Sequence, residues 1–215
     1  MLKIDDTTLA GGIDAPFRVR YFDNVMDEPL WRFLAETFPT EAEMHSLNAV
    51  GLKNSLCDRD EAFSAYLACH PTWATFYAWL KMAFPQICAD AFGMPTRIAK
   101  RSVRFEFSSL PGVGGEVKPH PDTSKKLATA VMYFDPNWQD VWGGAFEALR
   151  HKTEPYADWT DRRPAWDEVE TVLSVPVAPC RIGFMLRRPN SLHGVRPLRA
   201  PRPRRSITVN LIGRI

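Results

Sequence analysis

The sequence lacks several features that would assign it to other classes of protein. None of its four cysteines forms a C-x-x-C pair, so neither a zinc knuckle nor a disulfide framework is predicted, and reduced thiols are expected. No apolar run approaches the roughly 20 residues of a membrane span, and the first residues do not combine a basic stretch with the apolar core of a secretory signal. The sequence therefore predicts a cytoplasmic protein without a membrane partner.

A strong charge of one sign, internal repeats and a serine-hydrolase motif are also missing. The 27 Lys and Arg residues nearly balance the 25 Asp and Glu residues, which argues against a large nucleic-acid-binding surface. Arginines are frequent in the last part of the chain, where they form either a solvated basic surface or one that binds phosphate or carboxylate groups. No G-x-S-x-G elbow occurs, which argues against a Ser-His-Asp hydrolase.

Hydrophobic periodicity divides the chain into a helical part and a strand-rich part. Helical spacing predicts helices at about 29–38, 58–69 and 71–92, with Pro85 expected to kink or break the last one. Residues 40–56 show no clear period and are predicted as loop with short helical turns. Alternation predicts strands at 17–26, 98–109, 127–134, 144–149, 169–175, 181–186, 191–196 and 204–212. We therefore predict an α+β fold, a β-sandwich or jelly roll with helices packed on one sheet.

His120 and Asp122 form one half of a predicted metal site. They lie two residues apart in an extended segment, so their side chains point to the same side and can bind one ion. His193 is the candidate third ligand, and two His with one carboxylate form the facial triad of non-haem Fe(II) oxygenases, with open positions for a co-substrate. These ligand types also suit other metals, so a non-redox metal-binding jelly roll or a zinc hydrolase stays open. Both histidines can also be buried hydrogen-bonding residues.

Five short motifs in a fixed order carry a family resemblance. They are His120-Pro121-Asp122, then Ala130 to Trp138, Trp142-Gly143-Gly144-Ala145-Phe146, Leu192 to Pro197, and Arg204 to Val209. With these motifs, the segment from about Ser102 to Ile212 resembles the double-stranded β-helix of the Fe(II)- and 2-oxoglutarate-dependent oxygenases, particularly their prolyl-hydroxylase-like branch. The resemblance covers roughly the C-terminal half and implies Fe(II), 2-oxoglutarate and O2 as cofactor and co-substrates.

The resemblance implies that His120, Asp122 and His193 ligate Fe(II) and that Arg204 pairs with the distal carboxylate of 2-oxoglutarate. A guanidinium can hold a carboxylate through two hydrogen bonds, which a lysine cannot. Alternation places Arg204 on one strand face with Ser206 and Thr208, whereas Arg205 lies on the opposite face. About two extra residues between His193 and Arg204 depart from the family pattern, so Arg202 and Arg205 remain competitors.

Further site residues are predicted on the same strand faces. Tyr133 falls where the family often places a hydroxyl against the co-substrate, although an ordinary aromatic residue of the core is an equally good interpretation. Thr129 and Thr208 are predicted as further contacts to the co-substrate. The predicted substrate contacts are Asn210, Arg104, Glu106 and Ser108.

The predicted function is hydroxylation of an unactivated C–H bond in a small polar metabolite or an amino-acid-like substrate. The Asp at 122 favours hydroxylation, because related halogenases replace this carboxylate by a small residue. A protein side chain as substrate is the alternative. A repair oxygenase that acts on nucleobases is also considered, but the balanced net charge argues against it. We expect a single oxygenase domain over 1–215, with mainly helical support at 1–95 and the double-stranded β-helix at 96–215. The sequence leaves the oligomeric state open, and the loop 152–168 is long enough to form a lid.

Overall fold

The computed structural model describes residues 2–47, 51–93 and 101–213. The helices there are α1 (Glu28–Glu36), α2 (Glu61–Cys69) and α3 (Pro71–Phe92), with short 3-10 turns at Glu41–Glu43 and Asp140–Trp142. The strands are β1 (Leu9–Ile13), β2 (Val19–Phe22), β3 (His45–Leu47), β4 (Lys53–Cys57), β5 (Ser102–Leu110), β6 (Val117–His120), β7 (Lys126–Tyr133), β8 (Phe146–His151), β9 (Val169–Val175), β10 (Ile182–Leu186), β11 (His193–Val195) and β12 (Arg204–Ile212).

The strands form two antiparallel sheets that pack into a jelly roll. The major sheet has eight strands in the order β1-β2-β10-β7-β12-β5-β4-β3, and the minor sheet has four in the order β6-β11-β8-β9. An apolar cluster of side chains from β2 and β10 of the major sheet and β8 and β9 of the minor sheet joins the two. The predicted α+β fold with a double-stranded β-helix is thereby confirmed.

Alternation along β12 explains why the helices cover the outer face of the major sheet. Ile207, Val209 and Leu211 are buried in the main core, which they share with Trp73 and Phe84 of α3. Burying a side chain of this size contributes about 1.5–3 kcal/mol. The intervening residues of β12 point the other way, towards the minor sheet, because side chains alternate between the faces of a strand. Burial of the apolar face of β12 against the helices therefore directs its polar face towards the minor sheet.

Helix α3 begins and ends where the sequence predicts, but Pro85 does not break it. Pro71 occupies the first turn, where a missing N–H costs little, and Gly93 ends the helix with a positive φ of 61°. The prediction of a break at Pro85 is wrong, since α3 continues to Phe92. A proline removes one hydrogen bond within the helix. Burial of neighbours such as Phe84 offsets that loss.

The N-terminal part contributes strands as well as helices. Strands β1 and β2 extend one edge of the major sheet beside β10, and β4 and β3 extend the other beside β5. The short helical turns predicted within residues 40–56 are confirmed by the 3-10 turn at Glu41–Glu43, but the prediction of loop for the rest is wrong, because β3 and β4 lie there. Both strands are short and carry no apolar alternation; β5 pairs with β4, for example Ser108 with Ser55, and β4 in turn pairs with β3.

The C-terminal strands lie close to their predicted positions. β9 and β12 have the predicted bounds, while β7, β8, β10 and β11 differ by one or two residues at one or both ends. β5 is observed from Ser102, and the predicted residues 98–100 lie outside the described residues, as do Met94, Pro95 and Arg214. The early strand is shorter than predicted, at Val19–Phe22. No helix in the described ranges is long and apolar enough to cross a membrane.

Candidate active site

Three side chains of types that can bind a metal ion meet between the two sheets. His120 and His193 are directly opposite each other in the β6–β11 pairing, and Asp122 follows two residues after the end of β6. One ligand atom from each of the three residues lies within 4.8 Å of the others. Of the described residues, these are the ones that form such a cluster. Two imidazoles and a carboxylate are ligands that suit Fe(II), among other transition metals.

Backbone carbonyls fix both imidazole rings in the same way. His120 Nδ1 lies 2.8 Å from the carbonyl oxygen of Lys118, and His193 Nδ1 lies 3.0 Å from that of Ser191. A nitrogen that donates its proton to a carbonyl leaves the other ring nitrogen unprotonated and able to bind a metal. Each contact spans two residues, so local backbone geometry sets the tautomer. Both Nε2 atoms are therefore available as ligands.

Asp122 is held by hydrogen bonds to both carboxylate oxygens. Lys126 Nζ donates to Oδ1 at 2.5 Å, and Thr129 Oγ1 lies 2.6 Å from Oδ2. The Thr129 hydroxyl also lies 2.9 Å from Asn210 Oδ1. A hydroxyl has one proton, and the charged carboxylate is the stronger acceptor, so Thr129 donates to Asp122. These contacts orient the carboxylate towards the two histidines.

The three groups are in the charge states that a cation requires. Burial lowers the pKa of His120 to about 3 and also lowers the pKa of His193, so both rings are neutral near pH 7. Burial opposes ionisation of Asp122, but Lys126 and the hydrogen bond from Thr129 outweigh it and lower the pKa of this carboxyl. The cluster therefore offers two neutral nitrogens and one negative oxygen donor without a change of protonation.

Arg204 is buried in the same pocket, and none of the described residues forms an ion pair with it. Its Nη1 donates to the carbonyl oxygen of Gly144 at 2.6 Å, and its Nη2 donates to Ser206 Oγ at 3.2 Å. The Nε–H has no acceptor, and within the described part of the chain no carboxylate lies at ion-pair distance. Burial lowers the pKa of the guanidinium. An incoming carboxylate would find an uncompensated positive charge.

The two competing arginines are directed away from the pocket. Arg205 forms an ion pair with the buried Asp135 at 3.2 Å and donates to the carbonyl oxygen of Ala35. Arg202 donates to the carbonyl oxygen of Pro136 and lies over the ring of Trp142, at 5.2 Å from its centre. Of the three arginines, Arg204 is the one that lines the pocket.

Tyr133 contacts Arg204 through its ring, while its hydroxyl forms hydrogen bonds with backbone groups of the minor sheet. The guanidinium carbon of Arg204 lies 5.3 Å from the ring centre. The hydroxyl donates to the carbonyl oxygen of Val175 at 3.1 Å and accepts from the backbone N–H of Phe146 at 3.1 Å. Its proton is thus already used. The expected donation from Tyr133 to a co-substrate would require this bond to break.

The other predicted contacts divide between the pocket and its supports. Thr208 lines the pocket on the face of Arg204, and so do Glu106 and Ser108 of β5. Thr129 also lines the pocket, but its hydroxyl is bound to Asp122. Asn210 and Arg104 lie outside the lining, since Asn210 contacts Thr129 and Arg104 is 3.8 Å from Asp58. Direct substrate contact is therefore supported geometrically only for Glu106 and Ser108.

Two lysines were missed in the sequence reasoning. Lys53 of β4 lines the pocket and forms an ion pair with Glu106, and Lys126 lies against Asp122. The position of Lys53 in the pocket could not be inferred, because β4 itself was not predicted. A signal for Lys126 was present, because it follows Asp122 by four residues and directly precedes the predicted strand 127–134.

Apolar side chains form the rest of the wall, and the long loop does not close it. Val117, Val131, Phe146 and Val195 line the pocket. The loop 152–168 instead packs on the minor sheet, where Trp159 is buried beside Leu149 and Leu192. None of the described residues of this loop lines the pocket, so the loop does not form the expected lid in this structure.

A family model matches the strand-rich part of the chain. Residues 105–212 match the model described as the 2OG-Fe(II) oxygenase superfamily. The matched segment contains the three candidate ligands and Arg204. None of the curated proteins matches the chain significantly.

Solved structures support the same fold at low sequence identity. A prolyl-4-hydroxylase from Pseudomonas putida has a TM-score of 0.57 and 18% identity, covering 91% of this chain and 92% of that one. A viral collagen prolyl hydroxylase from Paramecium bursaria Chlorella virus-1, in its 2OG complex, has a TM-score of 0.54 and 9% identity, covering 92% and 96%. The non-heme alpha-ketoglutarate-dependent epimerase SnoN from nogalamycin biosynthesis has a TM-score of 0.54 and 14% identity, covering 90% and 77%.

Proposed function

The chain belongs to the 2OG-Fe(II) oxygenase superfamily, and on that premise we propose that it hydroxylates an unactivated C–H bond of a small polar or amino-acid-like substrate. Membership establishes an enzyme that uses Fe(II), 2-oxoglutarate and O2, from a family that acts on small molecules or on peptides and proteins. When bound, Fe(II) with 2-oxoglutarate and O2 supplies the oxidising power, and 2-oxoglutarate is converted to succinate and carbon dioxide. The substrate and the role of each residue are the proposal.

His120, Asp122 and His193 would hold the metal. The donor set fits, since both Nδ1 atoms are tied to carbonyl oxygens and the carboxylate is supported on both oxygens. Three protein ligands leave coordination positions open for the co-substrate and O2. Thr129 positions Asp122, as hydrogen-bonding partners commonly do for carboxylate ligands.

Arg204 would bind the distal carboxylate of 2-oxoglutarate, with Thr208 beside it. One observation carries the proposal: the same pocket is lined by the candidate metal ligands and by a buried guanidinium for which the described part of the chain supplies no anion. Tyr133 would hold the guanidinium plane through its ring and is retained as a candidate contact. Apolar residues such as Phe146 and Val195 exclude water from the reacting groups.

The carboxylate at position 122 supports hydroxylation as the outcome. Related halogenases have a small residue at the equivalent position, which leaves room for a halide beside the metal. Here the position carries Asp122, which is buried and hydrogen-bonded by Lys126 and Thr129.

We also propose that residues 1–215 form a single oxygenase domain. Strands from both ends of the sequence share the major sheet, because β1 to β4 flank the strands of the C-terminal part. A cytoplasmic location stays a prediction, with which the four free cysteines agree.

Metal titration and turnover test the proposed site. We expect His193→Ala and Asp122→Ala to abolish tight Fe(II) binding under anaerobic conditions and succinate formation under air. His45→Ala is the matched control, since His45 is exposed and outside the pocket, and it should behave as wild type. Tight binding that survives His193→Ala, or full turnover in Asp122→Ala, contradicts the assignment. A substrate panel of metabolites, amino acids and proline-containing peptides separates small molecules from protein side chains.

A further inference from the structure

The pocket is lined by one more cation than anions. Lys53, Lys126 and Arg204 face Glu106 and Asp122, which is three positive charges against two negative. Fe(II) would add two positive charges and 2-oxoglutarate two negative ones, so loading leaves an excess of one positive charge. A pocket with an excess of positive charge attracts an anionic substrate.

In the loaded pocket, we assign this excess to Lys126, because its ion-pair partner Asp122 would also bind the metal. Lys53 is paired with Glu106, and Arg204 is assigned to the co-substrate. Lys126 Nζ donates to Asp122 Oδ1 at 2.5 Å, although Asp122 is also the proposed metal ligand. An ammonium group has three N–H donors, and in the described ranges no other acceptor of Lys126 is found. Its side chain is 26% exposed, so two donors are available to a molecule in the pocket.

On the premise of the function proposed above, we propose that the substrate is a small carboxylic acid and that Lys126 binds its carboxylate. The contact between Lys126 and Asp122 places this anion beside the metal-binding cluster. The oxidised C–H bond therefore lies only a few bonds from the carboxylate. The Lys53–Glu106 pair adds a carboxylate that can receive an ammonium group, which favours an amino acid.

Two other roles for Lys126 make different predictions. If the lysine only orients Asp122, its loss changes metal affinity but not the preference for acids. If it binds 2-oxoglutarate, its loss weakens co-substrate binding. Binding measurements separate all three roles, because metal, co-substrate and substrate can be titrated one after another.

The experiment is isothermal titration calorimetry on the full chain saturated with Co(II) and 2-oxoglutarate. The probes are L-amino acids, hydroxy acids and dicarboxylic acids, each beside its carboxamide. A hydrogen-bonded charge pair predicts that at least one acid binds about tenfold to a hundredfold more tightly than its amide. Lys126→Met should reduce this preference to within about twofold, and Lys126→Arg should restore part of it. Lys126→Gln provides a second neutral variant.

Lys125→Met is the matched control, because Lys125 is the exposed neighbour and does not line the pocket. It should retain the full preference. Equal binding of every acid and its amide by the wild type, or a preference that survives Lys126→Met, overturns the inference. A weaker 2-oxoglutarate affinity in Lys126→Met with an unchanged acid preference also overturns it. A wild type that binds neither Co(II) nor 2-oxoglutarate refutes the proposed function itself, whereas a loaded protein without acid preference refutes only the inference.

Discussion

Replacing Arg204 or its neighbour Arg205 by methionine should give opposite phenotypes. The two residues are adjacent on β12 but lie on opposite faces of the strand. Arg204 is buried and has no anionic partner among the described residues, whereas Arg205 forms an ion pair with Asp135, a carboxylate that is 2% exposed. Methionine retains a long side chain in each case and removes only the charge and the donors. The pair of variants therefore tests the strand phase, that is, which of the two arginines lies on the face of β12 that points into the pocket.

Arg204→Met should weaken 2-oxoglutarate binding and leave stability nearly unchanged. Losing a charged hydrogen-bonded pair of about 3 kcal/mol raises the KM for 2-oxoglutarate about a hundredfold. Removing an unpaired buried charge favours folding, while the carbonyl of Gly144 and the hydroxyl of Ser206 lose their donor. These effects oppose each other, so we expect an unfolding free energy within about 1 kcal/mol of wild type.

Arg205→Met should do the reverse. Asp135 would lose the guanidinium while staying buried, and because Arg205 is 28% exposed we expect a discounted cost of about 1–3 kcal/mol in unfolding free energy. The KM for 2-oxoglutarate should stay within about twofold of wild type, since Arg205 does not line the pocket. Succinate formation at varied 2-oxoglutarate and urea unfolding measure the two quantities. Equal increases of KM in both variants would show that the strand phase is misassigned.

Three further perturbations follow from the contacts around the site. Tyr133→Phe leaves two backbone groups of the minor sheet without their partner and should lower the unfolding free energy by about 2 kcal/mol in urea; a large increase in the KM for 2-oxoglutarate would instead support direct contact. Thr129→Val removes a hydrogen bond to Asp122 and should weaken Co(II) binding about tenfold to a hundredfold by titration, and unchanged affinity would refute that role. Folded His120 has a pKa of about 3 and folded His193 a lowered pKa, so the metal-free folded state binds fewer protons than the unfolded chain. With a chelator present, the free energy of unfolding should therefore decrease as the pH is lowered below about 6.5, by on the order of 2 kcal/mol at pH 5 in urea unfolding. An equally large decrease in a variant with both histidines replaced by Gln would contradict this.

The residues that were predictable from the sequence are those whose spacing is set by the strand itself. Alternation separates Arg204 and Thr208 from Arg205, and the structure places them on the expected faces. His120 and Asp122 are two residues apart, so their proximity is local. Joining His193 to them required the family pattern, because strand pairing over that distance in sequence has no local signal.

The unpredicted features depend on partners that are distant in sequence. Strand β4 has no apolar alternation of its own, and β5 supplies its hydrogen bonds, so Lys53 could not be placed in the pocket beforehand. For Tyr133 the sequence left a co-substrate contact and a core aromatic equally open; in the structure its hydroxyl bridges two strands of the minor sheet. Helix α3 tolerates Pro85 because tertiary packing offsets a local loss.

The pairing of His120 with His193 also connects the enzyme's lifetime to its metal supply. The two ligands come from different strands, β6 and β11, so the metal-binding site exists only while these strands are paired. An ion that binds the folded chain and not the unfolded one stabilises it by mass action, by about 2.7 kcal/mol when the free ion is at a hundredfold of its Kd. Bound iron would therefore stabilise the short pairing between β6 and β11 in the minor sheet. In cells that are short of iron, we expect idle copies of this enzyme to unfold and be degraded faster than loaded ones.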